Sequence, residues 1–159
     1  MNTRHTISVL VNNQPGVLQR VSGLFGRRGF NIESISVGES EEQGLSRMII
    51  VTTGDDKTLE QVTKQLYKLI DVIKVIDLSA NPMVGREVAL IKISAEPKMR
   101  PEVLGIVEMF RAAIVDIGPS TLIVQVVGDT EKIEAMVELL RPYGIRELSR
   151  TGVTAMIRG

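Results

Sequence analysis

The sequence predicts an α+β fold built from two βαββαβ units in tandem. Three observations predict it. Stretches rich in β-branched residues alternate with stretches whose apolar residues recur every three or four positions. The order strand, helix, strand, strand, helix, strand occurs twice along the chain. A polar segment with a proline, residues 79–83, separates the two runs. A length of 159 residues leaves room for two small domains.

The first unit is expected within residues 6–78. Its strands are predicted at residues 6–11, 32–37, 46–53 and 72–78. The first helix is predicted by an apolar face made of Val17, Leu18, Val21, Leu24 and Phe25. The second is predicted by a stripe made of Leu59, Val62, Leu66, Leu69 and Ile70. Pro15 suits the first position of the first helix, and Asp55 or Asp56 can cap the second.

The second unit repeats this plan, with strands at residues 88–94, 113–117, 121–127 and 145–148. Its first helix is expected to begin at Pro101. Its second helix is expected to end before Pro142. The segment SRMIIVTTGDDKTLE, residues 46–60, aligns with STLIVQVVGDTEKIE, residues 120–134, at a constant offset of 74. We therefore predict two copies of one ferredoxin-like unit. The first domain is residues 1–78, the linker is residues 79–85, and the second domain is residues 86–159.

The composition excludes several classes of function. There is no cysteine, so disulfides, thiol catalysis and thiolate metal sites are excluded. Nineteen basic and nineteen acidic residues give a formal charge of zero, which provides no general attraction to nucleic acid or anionic membranes. His5 is the single histidine and is interpreted as structural. Without a membrane-length apolar run or a signal-peptide pattern at its start, the chain is expected to be soluble and cytoplasmic.

The junction NNQPG, residues 12–16, lies where the first strand leads into the first helix. A helix start presents backbone N–H groups without intrahelical partners and carries a partial positive charge. Gly16 has no side chain to keep a carboxylate from its backbone, and Val17 and Leu18 follow it. The amides of Asn13 and Asn31 both donate and accept, which suits a ligand with a carboxylate and an ammonium group. No catalytic side chain is expected there.

A structural interpretation of the same junction remains open from the residues alone. In it, Asn13 caps the helix, and Pro15 and Gly16 only turn the chain. Arg20 lies more than a helical turn from the junction along the sequence and gives little support to a phosphoryl site. The glycines of GLFGRRG, residues 23–29, fall within or at the end of the helix, so a dinucleotide fingerprint is rejected. The few aromatic residues do not favour RNA binding.

The chain resembles the regulatory small subunits of acetolactate synthase, also called acetohydroxyacid synthase. The resemblance covers essentially the whole sequence and is most specific in QPGVLQRV, RRGFNIESI, LSRM and KQLYKLIDV. It implies that the first half is an ACT domain, the amino-acid-sensing βαββαβ module. The second half then corresponds to the family's C-terminal ferredoxin-like domain.

The resemblance also implies an effector site and a homodimer. In this family, branched-chain amino acids, mainly valine, bind between paired ACT domains. Carried over by position, the site takes one set of residues from one chain and a second set from its neighbour. These are Asn13, Gly16, Val17 and Leu18 from the first chain, and Asn31 and Ile32 from the second.

The implied partner is the catalytic large subunit, which uses thiamine diphosphate, magnesium and FAD. The small subunit is expected to have no activity and no cofactor of its own, to activate this partner, and to make it sensitive to valine. One alternative is a free-standing ACT-type sensor that controls transcription or another enzyme; the neutral charge and the lack of a DNA-reading helix argue against transcription. Another is an acylphosphatase-like enzyme, disfavoured because residues 12–16 contain no arginine.

Overall fold

The computed structural model describes residues 2–159, which form two compact units. One consists of the chain up to Val84 together with Val153–Gly159, and the other is Gly85–Gly152. Among the helices described in residues 2–159, none has the length and apolar character needed to cross a membrane.

The first unit has the predicted βαββαβ order. Its elements are β1 (Asn2–Asn12), α1 (Val17–Arg27), β2 (Asn31–Glu39), β3 (Leu45–Asp55), α2 (Asp56–Leu66) and β4 (Val72–Asp77). The four strands form an antiparallel sheet in the order β2-β3-β1-β4, which leaves β2 and β4 at the edges. This strand order is the ferredoxin-like arrangement.

The core of the first unit lies between the sheet and its two amphipathic helices. Alternate residues of each strand point toward the helices, so β1 contributes Ile7, Val9 and Val11. The helices contribute residues spaced three or four apart, namely Val17, Val21, Phe25, Leu59, Val62 and Leu66. Phe25 and Phe30 meet edge to face, with ring centroids 6.1 Å apart. Together these side chains form one continuous apolar cluster.

The second unit repeats the plan. Its elements are β5 (Met83–Ser94, whose first two residues belong to the first unit), α3 (Arg100–Met109), β6 (Ala113–Ile117), β7 (Thr121–Gly128), α4 (Thr130–Leu140) and β8 (Ile145–Arg150). The strand order β6-β7-β5-β8 is that of the first sheet. The repeat extends to the helix caps. Asp55 accepts a hydrogen bond from Lys57 N at 3.1 Å, and its counterpart Asp129 accepts one from Lys132 N at 2.9 Å.

The end of the chain differs from the predicted division at residues 86–159. Thr154–Ile157 forms a further strand, β9, which pairs with β5. Val153 and Ala155 pack on the side chains of Ile49 and Val51, on the sheet face opposite the helices. This burial explains why Val153–Gly159 groups with the first unit. The predicted linker also contains regular structure, because Leu78–Ala80 forms a 3₁₀ turn and β5 begins at Met83.

Two helix details differ from the sequence analysis. The first helix begins at Val17 rather than at Pro15, because Gly16 has a φ of 82° and cannot continue a right-handed helix backwards. The second helix ends at Leu66, so Ile70 lies beyond it with 92% of its surface exposed. The apolar stripe therefore stops one turn earlier than predicted.

Candidate functional site

The segment between β1 and α1, with the first turn of the helix, forms what we call the α1 junction (residues 12–18). The turn is fixed by backbone hydrogen bonds: Asn13 N donates to Gly44 O at 2.9 Å, and Gln14 N donates to Asn12 O at 2.9 Å. Gly16 then takes the left-handed conformation, with φ 82° and ψ −4°. This conformation favours glycine because a Cβ would be strained there.

The start of α1 has no side-chain cap. The structure shows no side-chain hydrogen bond at the capping position, so Asn13 does not cap the helix as one interpretation required. The first turn of α1 contains no acidic residue, whereas the first turns of α2 and α4 each contain one. The helices α2 and α4 are also capped by the side chain of an aspartate. Within residues 2–159, the backbone N–H groups of Leu18 and Gln19 have no hydrogen-bond partner. The junction therefore presents free donors at the positive end of a helix.

The guanidinium of Arg20 lies against this turn, and this contact was not predicted from the sequence. Its Nη2 donates to Asp71 Oδ2 at 2.7 Å. A Cβ built on Gly16 would lie 3.0 Å from Arg20 Nη1. The signal that could have found this contact is the spacing of four residues, since helical side chains lean toward the N-terminus and cover the preceding turn.

Val17 and Leu18 play different parts in the junction. Val17 is buried in the core of the first unit, so only its backbone faces the junction. Leu18 points away from that core and 44% of its surface is exposed. An exposed leucine beside free N–H donors provides an apolar contact next to polar ones.

Asn31 and Ile32 lie at the opposite end of the sheet from the α1 junction. Asn31 pairs with Thr53 on β3, whereas Asn12 pairs with Leu45 at the other end of the same strand. Thr53 lies eight positions after Leu45 along β3, which corresponds to about 27 Å of extended chain. A single chain therefore does not bring the two predicted sets of site residues together.

A separate concavity of about 660 Å³ lies beside α2. His5 lines it with 11% of its side chain exposed, and its Nε2 is 2.9 Å from Asp56 Oδ1. Its Nδ1 is 3.4 Å from Asp77 Oδ2. The hydroxyl of Thr3 donates to Asp56 Oδ1 at 2.6 Å, and this bond lowers the pKa of the Asp56 carboxyl below its ordinary value. His5 thus connects β1 to the start of α2 and the end of β4.

The fold and the junction define a class of protein. The βαββαβ order and antiparallel sheet of the first unit, with the uncapped helix start after its first strand, are those of an ACT domain. A family model described as "AHAS small subunit-like ACT domain" matches residues 7–74. A second model, described as "Small subunit of acetolactate synthase", matches residues 86–159.

Known proteins agree with both matches. A "Probable acetolactate synthase small subunit" of Methanothermobacter thermautotrophicus is 58% identical over 156 residues, covering 98% of this chain and 93% of that protein. The acetolactate synthase small subunit of Mycolicibacterium smegmatis is 49% identical over 155 residues, covering 98% and 91%. The crystal structure of the Thermotoga maritima small subunit superposes with a TM-score of 0.90 at 46% identity, covering 99% and 98%. The chain belongs to the acetolactate synthase small-subunit family.

Proposed function

We propose that this chain is a regulatory subunit that activates the catalytic large subunit of acetolactate synthase and makes it sensitive to feedback inhibition by valine. The role lies in branched-chain amino acid biosynthesis. The observation that carries the effector part is the uncapped start of α1, where free backbone donors and an arginine lie beside a glycine with no side chain. Such a helix start attracts the carboxylate of an amino acid.

In this proposal, each part of valine meets a matching group. The carboxylate lies at Gly16 and accepts hydrogen bonds from the first amides of α1. The isopropyl group packs against exposed Leu18 and against Ile32 of a neighbouring chain, which contributes about 1.5–3 kcal/mol. The ammonium group donates to amide oxygens, and in this proposal these belong to Asn13 and to Asn31 of the neighbouring chain.

The topology supports a homodimer as the source of the second set of residues. The strand β2 is an edge strand, and it runs from Asn31 at one end of the sheet to Glu39 at the other, where α1 begins. Two copies of an edge strand that pair antiparallel about a two-fold axis place the first residue of one beside the last residue of the other. Asn31 of one chain would then lie at the junction end of its neighbour's sheet.

The chemistry of the holoenzyme belongs, in this proposal, to the large subunit. That partner binds thiamine diphosphate, magnesium and FAD and condenses pyruvate with a second 2-oxo acid. The chain described here contributes ligand recognition and a surface for the partner. Within residues 2–159, no group of three or more histidine, aspartate or glutamate side chains is arranged to hold a metal ion.

The effector and the dimer are tested together on the isolated chain. Calorimetry with L-valine is expected to show saturable binding, and D-valine is the control because it carries the same groups with the opposite hand. Sedimentation is expected to show a dimer at micromolar concentration. A monomer with and without valine would contradict the site between chains.

A second candidate function is that of a free-standing sensor. Capture of the proteins that bind this chain in the native cytosol distinguishes it from a regulatory subunit. A tagged chain is expected to retain acetolactate synthase activity on the resin, and the same tag without the chain is the control. Retention of a different enzyme or of DNA, with no acetolactate formed from pyruvate, would favour the sensor.

A further inference from the structure

The side chain of Arg20 is held in one place by Asp71. Arg20 Nη2 donates to Asp71 Oδ2 at 2.7 Å, and only 15% of the Asp71 side chain is exposed. The backbone carbonyl of Asp71 accepts a hydrogen bond from Asn12 N at 2.8 Å, which ties it to the end of β1. The guanidinium is therefore anchored to the same strand end from which the α1 junction begins.

This anchoring leaves part of the guanidinium free. A guanidinium has five N–H donors, and the Asp71 contact uses one of them. In residues 2–159, Nη1 and Nε of Arg20 have no hydrogen-bond partner, and 48% of the side chain is exposed. Nη1 lies 3.0 Å from the position that a Cβ would take on Gly16. The free donors thus lie at the empty side of the glycine.

We infer that Arg20, positioned by Asp71, binds the carboxylate of the effector at the α1 junction. The inference rests on the proposed function, because it concerns the same site. A carboxylate close to Gly16 meets the amides of α1 from one side and Nη1 of Arg20 from the other. Charge-assisted hydrogen bonds between arginine and a carboxylate are stronger than neutral ones and directional, so Arg20 adds orientation as well as attraction.

Asp71 has a second consequence for selectivity. It neutralises most of the charge of Arg20 in the absence of ligand, so the junction does not become a general anion site. A ligand without an ammonium group gains only the free donors, while a zwitterion also satisfies the amide oxygens of the proposed site. The arrangement favours an α-amino acid over a simple carboxylic acid or inorganic phosphate.

The test compares two ligands on variants of the full chain. L-valine has the carboxylate, and L-valinamide has the same side chain and ammonium group without that charge. Calorimetry at a pH of about 6.5 keeps the ammonium of both ligands protonated. Arg20→Gln is expected to weaken valine about 10- to 100-fold and to leave valinamide unchanged. Arg27→Gln, the same change at the other end of α1, is the matched control and is expected to leave both affinities unchanged.

Two further variants keep the test independent of folding defects. Arg20→Lys keeps the charge and loses the planar fork, so its valine affinity is expected to lie between those of the wild type and Arg20→Gln. Asp71→Asn releases Arg20 from its anchor and is expected to weaken valine more than valinamide. Thermal unfolding of each variant shows whether it is folded.

The outcomes distinguish a failure of the Arg20 inference from a failure of the proposed valine site. If the wild-type chain binds valine and Arg20→Gln leaves the ratio of valine to valinamide affinity unchanged, the inference is wrong. This holds whether both affinities stay the same or both fall equally, and Arg20 then has only a structural role. A wild-type chain that binds no valine contradicts the proposed effector itself, and this inference with it.

Discussion

Replacement of Gly16 by aspartate tests the α1 junction at its centre. From the sequence alone, the fold is expected to tolerate an acidic residue at a helix start, unless Gly16 has a positive φ. The structure gives a φ of 82°, so a side chain costs up to about 1–2 kcal/mol, and aspartate and asparagine cost less than other residues. The new Cβ would also lie 3.0 Å from Arg20 Nη1, and that flexible side chain must shift by a few tenths of an ångström.

The effect on ligand binding is of a different kind from this strain, because it acts through charge. Two carboxylates about 4 Å apart, at an effective dielectric constant near 20, repel by roughly 4 kcal/mol before screening. The introduced carboxylate also pairs with Arg20 and removes the donor that a ligand would use. If a third of the repulsion survives, binding weakens about tenfold. We therefore expect Gly16→Asp to lose most of its valine affinity.

The control is Gly16→Asn, which has the same shape, tolerates a positive φ and carries no charge. Thermal unfolding is expected to give similar, modest losses of stability for both variants. Calorimetry is expected to show valine binding at least about tenfold weaker in Gly16→Asp than in Gly16→Asn. Equal valine affinity in the two variants would refute the placement of the carboxylate at Gly16, and the junction would be only a turn.

Two further predictions concern stability. Asp56→Asn is expected to lower the urea midpoint at neutral pH. Its hydrogen bond from Thr3 lowers the pKa of the carboxyl in the folded state, so its stabilisation is fully present above the unfolded pKa of about 3.9 and is lost as pH falls through the lower pKa of the folded state. A difference between wild type and Asp56→Asn that does not shrink as the pH is lowered from neutral into this acid range would contradict this. Gly54→Ala places a Cβ against the ring of Phe30 and is expected to cost about 1–3 kcal/mol, more than Gly128→Ala, whose Cβ meets only the flexible Lys132 side chain. Equal losses in urea unfolding would show that the Phe30 ring moves aside freely.

Periodicity and capping rules predicted most of the fold. The order of strands and helices follows from where apolar residues alternate or recur, and the equivalence of Asp55 and Asp129 follows from the repeat. The strand β9 was not predicted, because its stability comes from packing of Val153 and Ala155 on a distant sheet face. Sequence spacing carries no information about such a contact.

The junction shows a similar division. A glycine at a strand-to-helix turn is visible in the sequence. Its left-handed backbone conformation is suggested only by the fact that the residue is glycine. The contact of Arg20 with this turn was missed because distance was judged along the chain rather than along the helix surface. That Asn31 and Ile32 lie far from the junction within one chain became visible only from strand register. Their role in a site between two chains stays a prediction.

A titration of the purified catalytic large subunit with the purified chain measures directly whether this chain regulates acetolactate synthase. Acetolactate formation is followed at each ratio, without valine and with saturating valine. We expect no acetolactate from the chain alone, a rise in turnover that saturates as the chain is added, and inhibition by valine that appears only with the chain present. Turnover and valine response that stay unchanged across the whole titration would contradict this regulatory role.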